Sequence, residues 1–552
     1  MSEVVEERRP AWQVYAKTRP QRKLTAHQRE TLALFIVVFA AYATLGWRVV
    51  VRDHIVMFDA VARLSHAYFV WWNSPPKLAA IGFVWPPIAS FVFLPLALIK
   101  PLATSLLALP LTSAFFAGLM FVFLNRTLAL LGLSIRYRLA LLLLFALNPM
   151  VAFYSSNGMS EVVYLAFLVA SVYYFLRWHL EQRATMLVNA GIFFSVGILS
   201  RYEVFTWAVV LAGVVCTVLV RRRASRAEIE GTLISYLAPL SYGVGLWLFF
   251  NWLILSDPLF WLKHQAPGGP ANGPPGTTGP SLTVAGPHPS AAHVTRELVG
   301  LNWHLFLLTL PTLVALVALF AFRGDLMALT LAVFLSLNAA FTGLLIYVSH
   351  AEAYSQLRYN MRAIPLALIG SAWVVTRFAG RVRVAAGAVV LVLLIAAIPQ
   401  TWHVMRTFPQ QYLEQSFTRA LATGNDQEGS SSLGGYRVGI AEQEQMADYV
   451  TANVHGRDAI LTDDAQTFSV MLLTGRPGLF FDRIDKGDRA WLAVRDSPFG
   501  KVAYMLVSAS SADLISSQYP QAARTALPGL EPVYRVGSLV LIRVARRPPA
   551  QR

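Results

Sequence analysis

The chain runs repeatedly for roughly 17 to 25 residues with almost no charge, the length an α-helix needs to cross a bilayer's hydrocarbon core of about 30 Å. Such runs fall near 31–49, 103–125, 138–154, 162–178, 186–200, 204–220, 232–255, 303–322, 326–348, 363–378 and 384–399. In lipid only helices or closed barrels can satisfy their own backbone hydrogen bonds. The fold class is therefore a polytopic α-helical membrane protein with about 11 transmembrane helices, as a composition 56% hydrophobic and 14% charged requires.

The formal charge of +16 could point to nucleic acid, but the Lys and Arg residues sit in short clusters between apolar runs, where they set topology instead. No nucleic-acid partner is implied. Residues 1–30 are polar and basic, far longer than the positive end of a signal peptide, and read as a cytoplasmic N-terminus whose first apolar run stays as an anchor. With that end inside, the turns at Arg126/Arg136/Arg138, Arg177/Arg183, Arg221–Arg223, Arg323 and Arg377/Arg381/Arg383 all fall in the cytoplasm, and the C-terminus falls outside. The lone cysteine, Cys216, allows no disulfide within the chain and no thiolate metal cluster.

The apolar domain spans 31–400 and carries two outer loops. The first, 50–101, contains "FDAVARLSHAYFVWW" at 58–72, with an apolar stripe of Phe58, Val61, Leu64, Tyr68 and Trp71 and a polar stripe of Asp59, Arg63 and His66. That pattern predicts a helix lying on the outer membrane surface, apolar side down. Residues 84–101 are apolar but hold Pro86, Pro87 and Pro95; a full crossing here would reverse every later basic turn, so they are expected to lie along the interface or re-enter. Trp71, Trp72 and Trp85 read as interface anchors. The second outer loop, 257–302, is expected to be flexible, being rich in Pro and Gly over 265–290. Residues 401–552 turn polar and alternate helix and strand patterns, predicting an extracytoplasmic α/β domain.

With this topology the polar residues of four segments share one level. They are Asp59, Arg63 and His66; Glu161, at the end of "NPMVAFYSSNGMSE"; Arg201 and Glu203 of "SRYE"; and Arg358, Tyr359 and Arg362 of "SQLRYNMR". Ionisable groups at membrane depth are expensive and tend to be functional. A carboxylate can take a proton from an acceptor hydroxyl, and arginines can hold a phosphate while negative charge develops on it. Each has an ordinary alternative: Asp59 pairing with Arg63 one turn on, Glu161 serving as a helix cap, Arg201 pairing with Glu203, and Arg362 and Lys77 snorkelling. The acids Asp463 and Asp464 of "DAILTDD" read as a solvated pair at a strand end.

The order of these features resembles the GT-C superfamily of integral-membrane glycosyltransferases, particularly the branch of protein O-mannosyltransferases and the lipid A aminoarabinose transferase. "DAVARLSHAYFVWWNSPPKLAAIGFVWPPI" resembles the first outer loop of that superfamily, with Asp59 in the place of its catalytic acid, and "LRYNMRAIPL" resembles the Arg-Tyr approach to a late span. The resemblance implies a polyprenyl-phosphate-sugar donor used at the outer face of the cytoplasmic membrane. It further implies a lipid, protein or polysaccharide acceptor and an inverting displacement with Asp59 as general base. Arg358, Tyr359, Arg362, Arg201 and Lys77 would bind the donor phosphate, with Arg63, His66, Glu161 and Glu203 as further site members. The loop departs from the superfamily's acidic pairs in offering only Asp53 and Asp59. No cofactor is required by the pattern, and a divalent metal is compatible with it. The rival readings are a transporter or lipid flippase, which would carry charges near the bilayer midplane, and a non-catalytic envelope scaffold.

Overall fold

Thr25 closes the polar N-terminal stretch and begins the first helix. Its hydroxyl accepts from the Gln28 N–H and the Gln28 side chain accepts from the Thr25 N–H, a reciprocal cap that satisfies two otherwise orphaned donors. The computed structural model describes residues 25–82, 86–202, 204–260, 290–349, 356–409, 411–423, 438–509 and 513–547. The Pro/Gly-rich 265–289, Trp85 and Glu203 lie outside the described residues. Helix α1 (Ala26–Gly46) continues as a π-helical turn, Trp47–Arg52, and stops at Asp53.

Helix α2 (Phe58–Trp72) follows, then three short helices, α3 (Ile88–Phe91), α4 (Leu94–Ala97) and α5 (Lys100–Thr104), in the proline-bearing stretch. The indole N–H groups of Trp71 and Trp72 donate to the carbonyls of Leu94 and Ala97 at 2.9 and 3.0 Å, fastening α2 to α4. The bundle continues with α6 (Ala108–Leu130), α7 (Ile135–Ala146), α8 (Pro149–Tyr154), α9 (Glu161–Glu181), α10 (Ala184–Ile198), α11 (Val204–Arg221) and α12 (Arg226–Leu255). Then come α13 (Ala291–Leu305), α14 (Thr309–Arg323), α15 (Leu326–Ser349), α16 (Ala363–Thr376) and α17 (Gly380–Thr407). Among the described residues six helices are long and apolar enough to cross a membrane, or seven if the pair α13–α14, bent by 106°, is one span. That bend departs from the sequence expectation. Residues 291–305 belong to a helix, not to a flexible loop, because Ser290 caps it and Val294, Leu301 and Leu305 share a buried face.

Most of the basic turns lie at one end of the bundle. There Glu30 accepts from Arg138 and Asn125, both at 2.7 Å; Arg177 pairs with Glu181 at 2.7 Å, Arg377 with Asp325 at 2.8 Å, and Arg383 donates to the Gly132 carbonyl at 3.2 Å. The helices meet through small residues, as apolar helices must when lipid competes equally for their side chains. At Gly191 of α10 there is no room for a Cβ against Tyr236 and Pro239 of α12, and at Gly243 none against Ser195.

The opposite end carries helix α18 (Tyr412–Thr423) and a domain built on a five-stranded sheet of order β2-β1-β3-β5-β4. The strands are β1 (Ile460–Thr462), β2 (Phe480–Phe481), β3 (Tyr504–Ser508), β4 (Leu530–Val536) and β5 (Leu539–Val544); β1 runs parallel to β2 and β3, and β3 and β4 antiparallel to β5. The helices include α19 (Ala441–Asn453), α20 (Asp464–Thr474), α21 (Arg483–Lys486), α22 (Asp488–Arg495) and α23 (Leu514–Gln518). The period-two alternation of strands divides the sheet's apolar residues: Ile460, Leu506, Leu539 and Leu541 join the core that runs on into the bundle, while Leu461, Met505, Val507, Val540 and Ile542 form a second core with Trp491 and Ile515.

This domain sits on α2. Phe58 meets Phe468 edge-on at 4.3 Å, Gly439 N–H donates to Val56 O at 3.1 Å, and Arg457 donates to Ser74 Oγ at 3.0 Å. Helix α2 is consequently not a surface amphipath with one wet face: the run from Ala60 to Val70 is buried save for His66, which is half-buried, and Arg63 lies within that buried run. Replacing Gly191 by Val should push α10 and α12 apart at a cost of about 1–3 kcal/mol; lowered thermal stability of the purified protein in detergent, with Gly213→Val (where a Cβ meets open space) little changed, is the expected result.

Candidate active site

Asp59 lies in the first turn of α2, its side chain about one third exposed, and Arg63 follows one turn later with Nη2 3.8 Å from Asp59 Oδ2. The pair is the i,i+4 contact that helical spacing allows. Met57, just before the helix, reaches across the site, its Sδ 3.3 Å from Arg358 Nη1. The segment that leads into the acid-bearing helix thus touches the Arg-Tyr pair of the late segment.

Glu161 comes in from the other side on a tightly built turn. Asn148 accepts from the N–H groups of Met150 and Val151 to start α8. The Gly158 N–H donates to Ser113 Oγ at 2.9 Å, and Gly158, at φ 81°, rests on Leu109 where a Cβ would not fit. This sets Glu161 as the first residue of α9, almost wholly buried. A carboxylate is favoured at that helix end, yet its Oε1 accepts from Arg201 Nη1 at 2.9 Å rather than from the backbone.

Arg201 lies against the rings of Tyr164 and Tyr359, 5.2 and 5.4 Å from their centroids, and Arg358 lies 5.1 Å from the Tyr359 ring with Nη2 3.3 Å from its hydroxyl. The short 3₁₀ turn Leu357–Asn360 that carries Arg358 is held by Gln411, whose Oε1 accepts from the Leu357 N–H at 2.9 Å. Arg358 is buried, makes no ion pair among the described residues, and its Nε has no hydrogen-bond partner.

Electrostatics tie these groups into one site. Burial lowers the pKa of Arg63; Asp59 and Glu161 act in the opposite sense, and Arg201 and Arg358 lower it further. At Arg358 burial is outweighed by Tyr359, Glu161, Tyr154 and Asp59, and the pKa rises. A further acid, Glu414 on α18, belongs to the same site. It is buried and accepts from the Tyr154 hydroxyl at 2.5 Å. Burial raises its pKa, opposed by the Tyr154 hydrogen bond and by Arg358, while Glu161 raises it further. Sequence reasoning missed Glu414. The available signal was "YLEQSFTRALAT", an amphipathic helix whose buried side holds Glu414 together with Leu413, Phe417 and Thr418.

The remaining expected site members are distributed around this centre. Arg362 is buried with its guanidinium 4.6 Å from the Trp207 ring centroid. Lys77 follows α2 and acts electrostatically on Asp485 of the sheet domain. His66 packs against the turn at Gly82, and burial together with Arg63, opposed by a hydrogen bond with the Ile81 backbone, lowers its pKa to about 4. Asp53, the other acid of the first loop, is paired with Arg48 and Arg52 at 3.5 and 3.9 Å. Asp463 is likewise not a solvated acid: it is buried and caps α20, accepting from the N–H groups of Ala465 and Leu514. Among the described residues no three His, Cys, Asp or Glu side chains are grouped to hold a metal ion.

A π-turned first helix, a buried loop helix bearing an acid, an Arg-Tyr turn before a late helix and a sheet domain over them make up an overall fold that solved membrane-enzyme structures share. The structure matches that of ArnT, the lipid A aminoarabinose transferase, from Cupriavidus metallidurans bound to undecaprenyl phosphate, with a TM-score of 0.53 and 12% identity over 92% of this chain and 97% of that one. Against the same protein in the apo state the values are 0.52 and 15%, over 93% and 98%. An archaeal oligosaccharyltransferase, AglB from Archaeoglobus fulgidus, aligns more loosely, at a TM-score of 0.47 and 10% identity over 90% of this chain and 71% of that one. No protein-family model matches the chain, and no curated protein matches it in sequence.

His66 is held neutral in the fold, so between its ordinary pKa of about 6.5 and its folded value of about 4 the unfolded chain binds more protons than the folded one. Its contribution is fully present above the first value and is lost as pH falls toward the second. The thermal midpoint of His66→Gln should therefore fall less steeply than that of the native protein over this window, as scanning fluorimetry in buffered detergent would measure.

Proposed function

We propose that this protein is a membrane glycosyltransferase that moves a sugar from a polyprenyl-phosphate donor to an acceptor hydroxyl. The observation that carries this reading is Arg358. A buried guanidinium without a carboxylate partner is costly, and one stacked with Arg201 on the Tyr359 ring, near a partly exposed Asp59, is a place where the phosphate of a polyprenyl-linked donor would supply the missing charge. Planar guanidinium groups bind phosphate oxygens bidentately. The fold shared with ArnT, a structure of which holds undecaprenyl phosphate, supports the same donor class.

The chemistry follows from these side chains. The acceptor O–H attacks the anomeric carbon and forms the new glycosidic bond. The bond from that carbon to the phosphate oxygen breaks, and its electron pair leaves on the polyprenyl phosphate, which Arg358 and Arg201 stabilise as charge grows. The acceptor proton goes to the Asp59 carboxylate. A single displacement of this kind inverts the anomeric centre and needs one base; a retaining double displacement would need a second carboxylate as nucleophile. Arg63 Nη2 stands 3.8 Å from Asp59 Oδ2, beside the proposed base. The orientation that goes with this reading places the basic end of the bundle in the cytoplasm by the positive-inside rule, with eleven crossings and the sheet domain on the outer face of the cytoplasmic membrane.

Membrane vesicles given radiolabelled polyprenyl-phosphate sugar should place label on an acceptor; label that crosses the membrane without forming a glycoside would identify a transporter instead. Asp59→Asn should lower turnover by about 10²–10⁴ while purified protein remains folded, and near-normal turnover would remove Asp59 as the base. Arg358→Ala should weaken binding of undecaprenyl phosphate by about tenfold to a hundredfold, the worth of a charge-assisted hydrogen bond, as read by fluorescence competition in nanodiscs.

A further inference from the structure

A cavity of about 410 Å³ lies between the start of α2 and the sheet domain, with Asp59 in its wall. That volume falls within the range of small-molecule sites, about 300–1,000 Å³. The opposite wall belongs to the sheet domain and is hydroxylic and amidic: Gln443 from α19, Gln466 and Ser469 from α20, Ser508 at the end of β3 and Ser538 in the β4–β5 turn. The edge-on rings of Phe58 and Phe468, 4.3 Å apart, supply its apolar patch.

The charge pattern decides what such a cavity can hold. Among the described residues Asp59 is the only ionisable side chain in its lining. The acids just beyond it are Glu442, which accepts from the N–H of Ser538 at 3.1 Å, and Glu444, 3.5 Å from His54. An anionic acceptor would meet carboxylates here, whereas Arg358 is not part of the lining and touches it through Met57. Amides and hydroxyls beside an aromatic patch match instead a neutral polyol, whose hydroxyls both donate and accept.

Building on the glycosyltransferase reading, we infer that this cavity is the acceptor subsite and that the acceptor is an uncharged carbohydrate, presenting one hydroxyl to Asp59 while Gln443 and Gln466 hold its neighbours. The donor phosphate then lies on the Arg201–Arg358 side of Met57, and the two substrates approach Asp59 from opposite faces.

The test uses the full chain in lipid nanodiscs and saturation-transfer NMR with three probes: methyl α-glucopyranoside, glucose 6-phosphate and a serine-containing tripeptide amide. The glycoside should bind saturably and in preference to the other two. The double variant Gln443→Ala/Gln466→Ala should bind it about tenfold more weakly while retaining undecaprenyl phosphate, and the single variant Gln443→Ala should fall between. Absence of glycoside binding, preference for the phosphate or the peptide, or equal glycoside binding by native and double-variant protein would each overturn the inference. The donor reading is judged separately: undecaprenyl phosphate bound equally well by Arg358→Ala would sink it without touching the glycoside result.

Discussion

Guanidinium groups placed among apolar helices must be compensated, because desolvating a charge without a partner is among the largest penalties a fold can carry. Arg63, Arg201 and Arg358 are all buried or nearly so, and the site is arranged around them. Arg201 has Glu161 and two aromatic faces, Arg63 has Asp59, and Arg358 has a thioether and a tyrosine. The compensation is graded. Arg201 and Arg63 each meet a carboxylate, whereas Arg358 makes no ion pair among the described residues.

The same constraint accounts for the sheet domain. Helix α2 carries Asp59, Arg63 and His66 on one side and apolar residues on the other, a pattern that by itself would rest on a membrane surface. Here the polar side is covered: Phe468 packs on Phe58, the 438–439 segment pairs with Val56 and Met57, and the sheet's inner face is continuous with the core of the bundle. Roofing the helix removes water from Arg63 and His66 but leaves Asp59 facing a cavity, so the domain both dries the charged centre and builds the wall opposite the acid. Lowered dielectric strengthens every charge interaction within that space.

Much of this was legible in the amino-acid order. The apolar runs marked the helices, the prolines at 86, 87 and 95 marked a stretch broken into short helices, and the strand and helix patterns of 441–544 matched the elements formed. Asp59, Glu161, Arg201 and Arg358 could be gathered because they recur at the same ends of successive apolar runs. Other features were not legible. Glu414 lies beyond the last apolar run on an ordinary amphipathic helix, and nothing local says that Tyr154, 260 positions earlier, donates to it. Nor was the angle between α13 and α14 legible: Pro311 marks the first turn of α14, but nothing local sets the 106° bend between the two helices.

The sequence by itself determined that the chain lives in a membrane and which end of each helix bears its charges, because hydropathy and charge act locally and additively along a chain. The tertiary structure alone decided that Met57 touches Arg358, that Lys77 acts electrostatically on Asp485, that Asp53 is spent on Arg48, and that two glutamines of a distant domain line one cavity with the acid. Those outcomes depend on packing between segments hundreds of residues apart. There shape complementarity and the demand that every buried charge find a partner choose among contacts that look equivalent in one dimension.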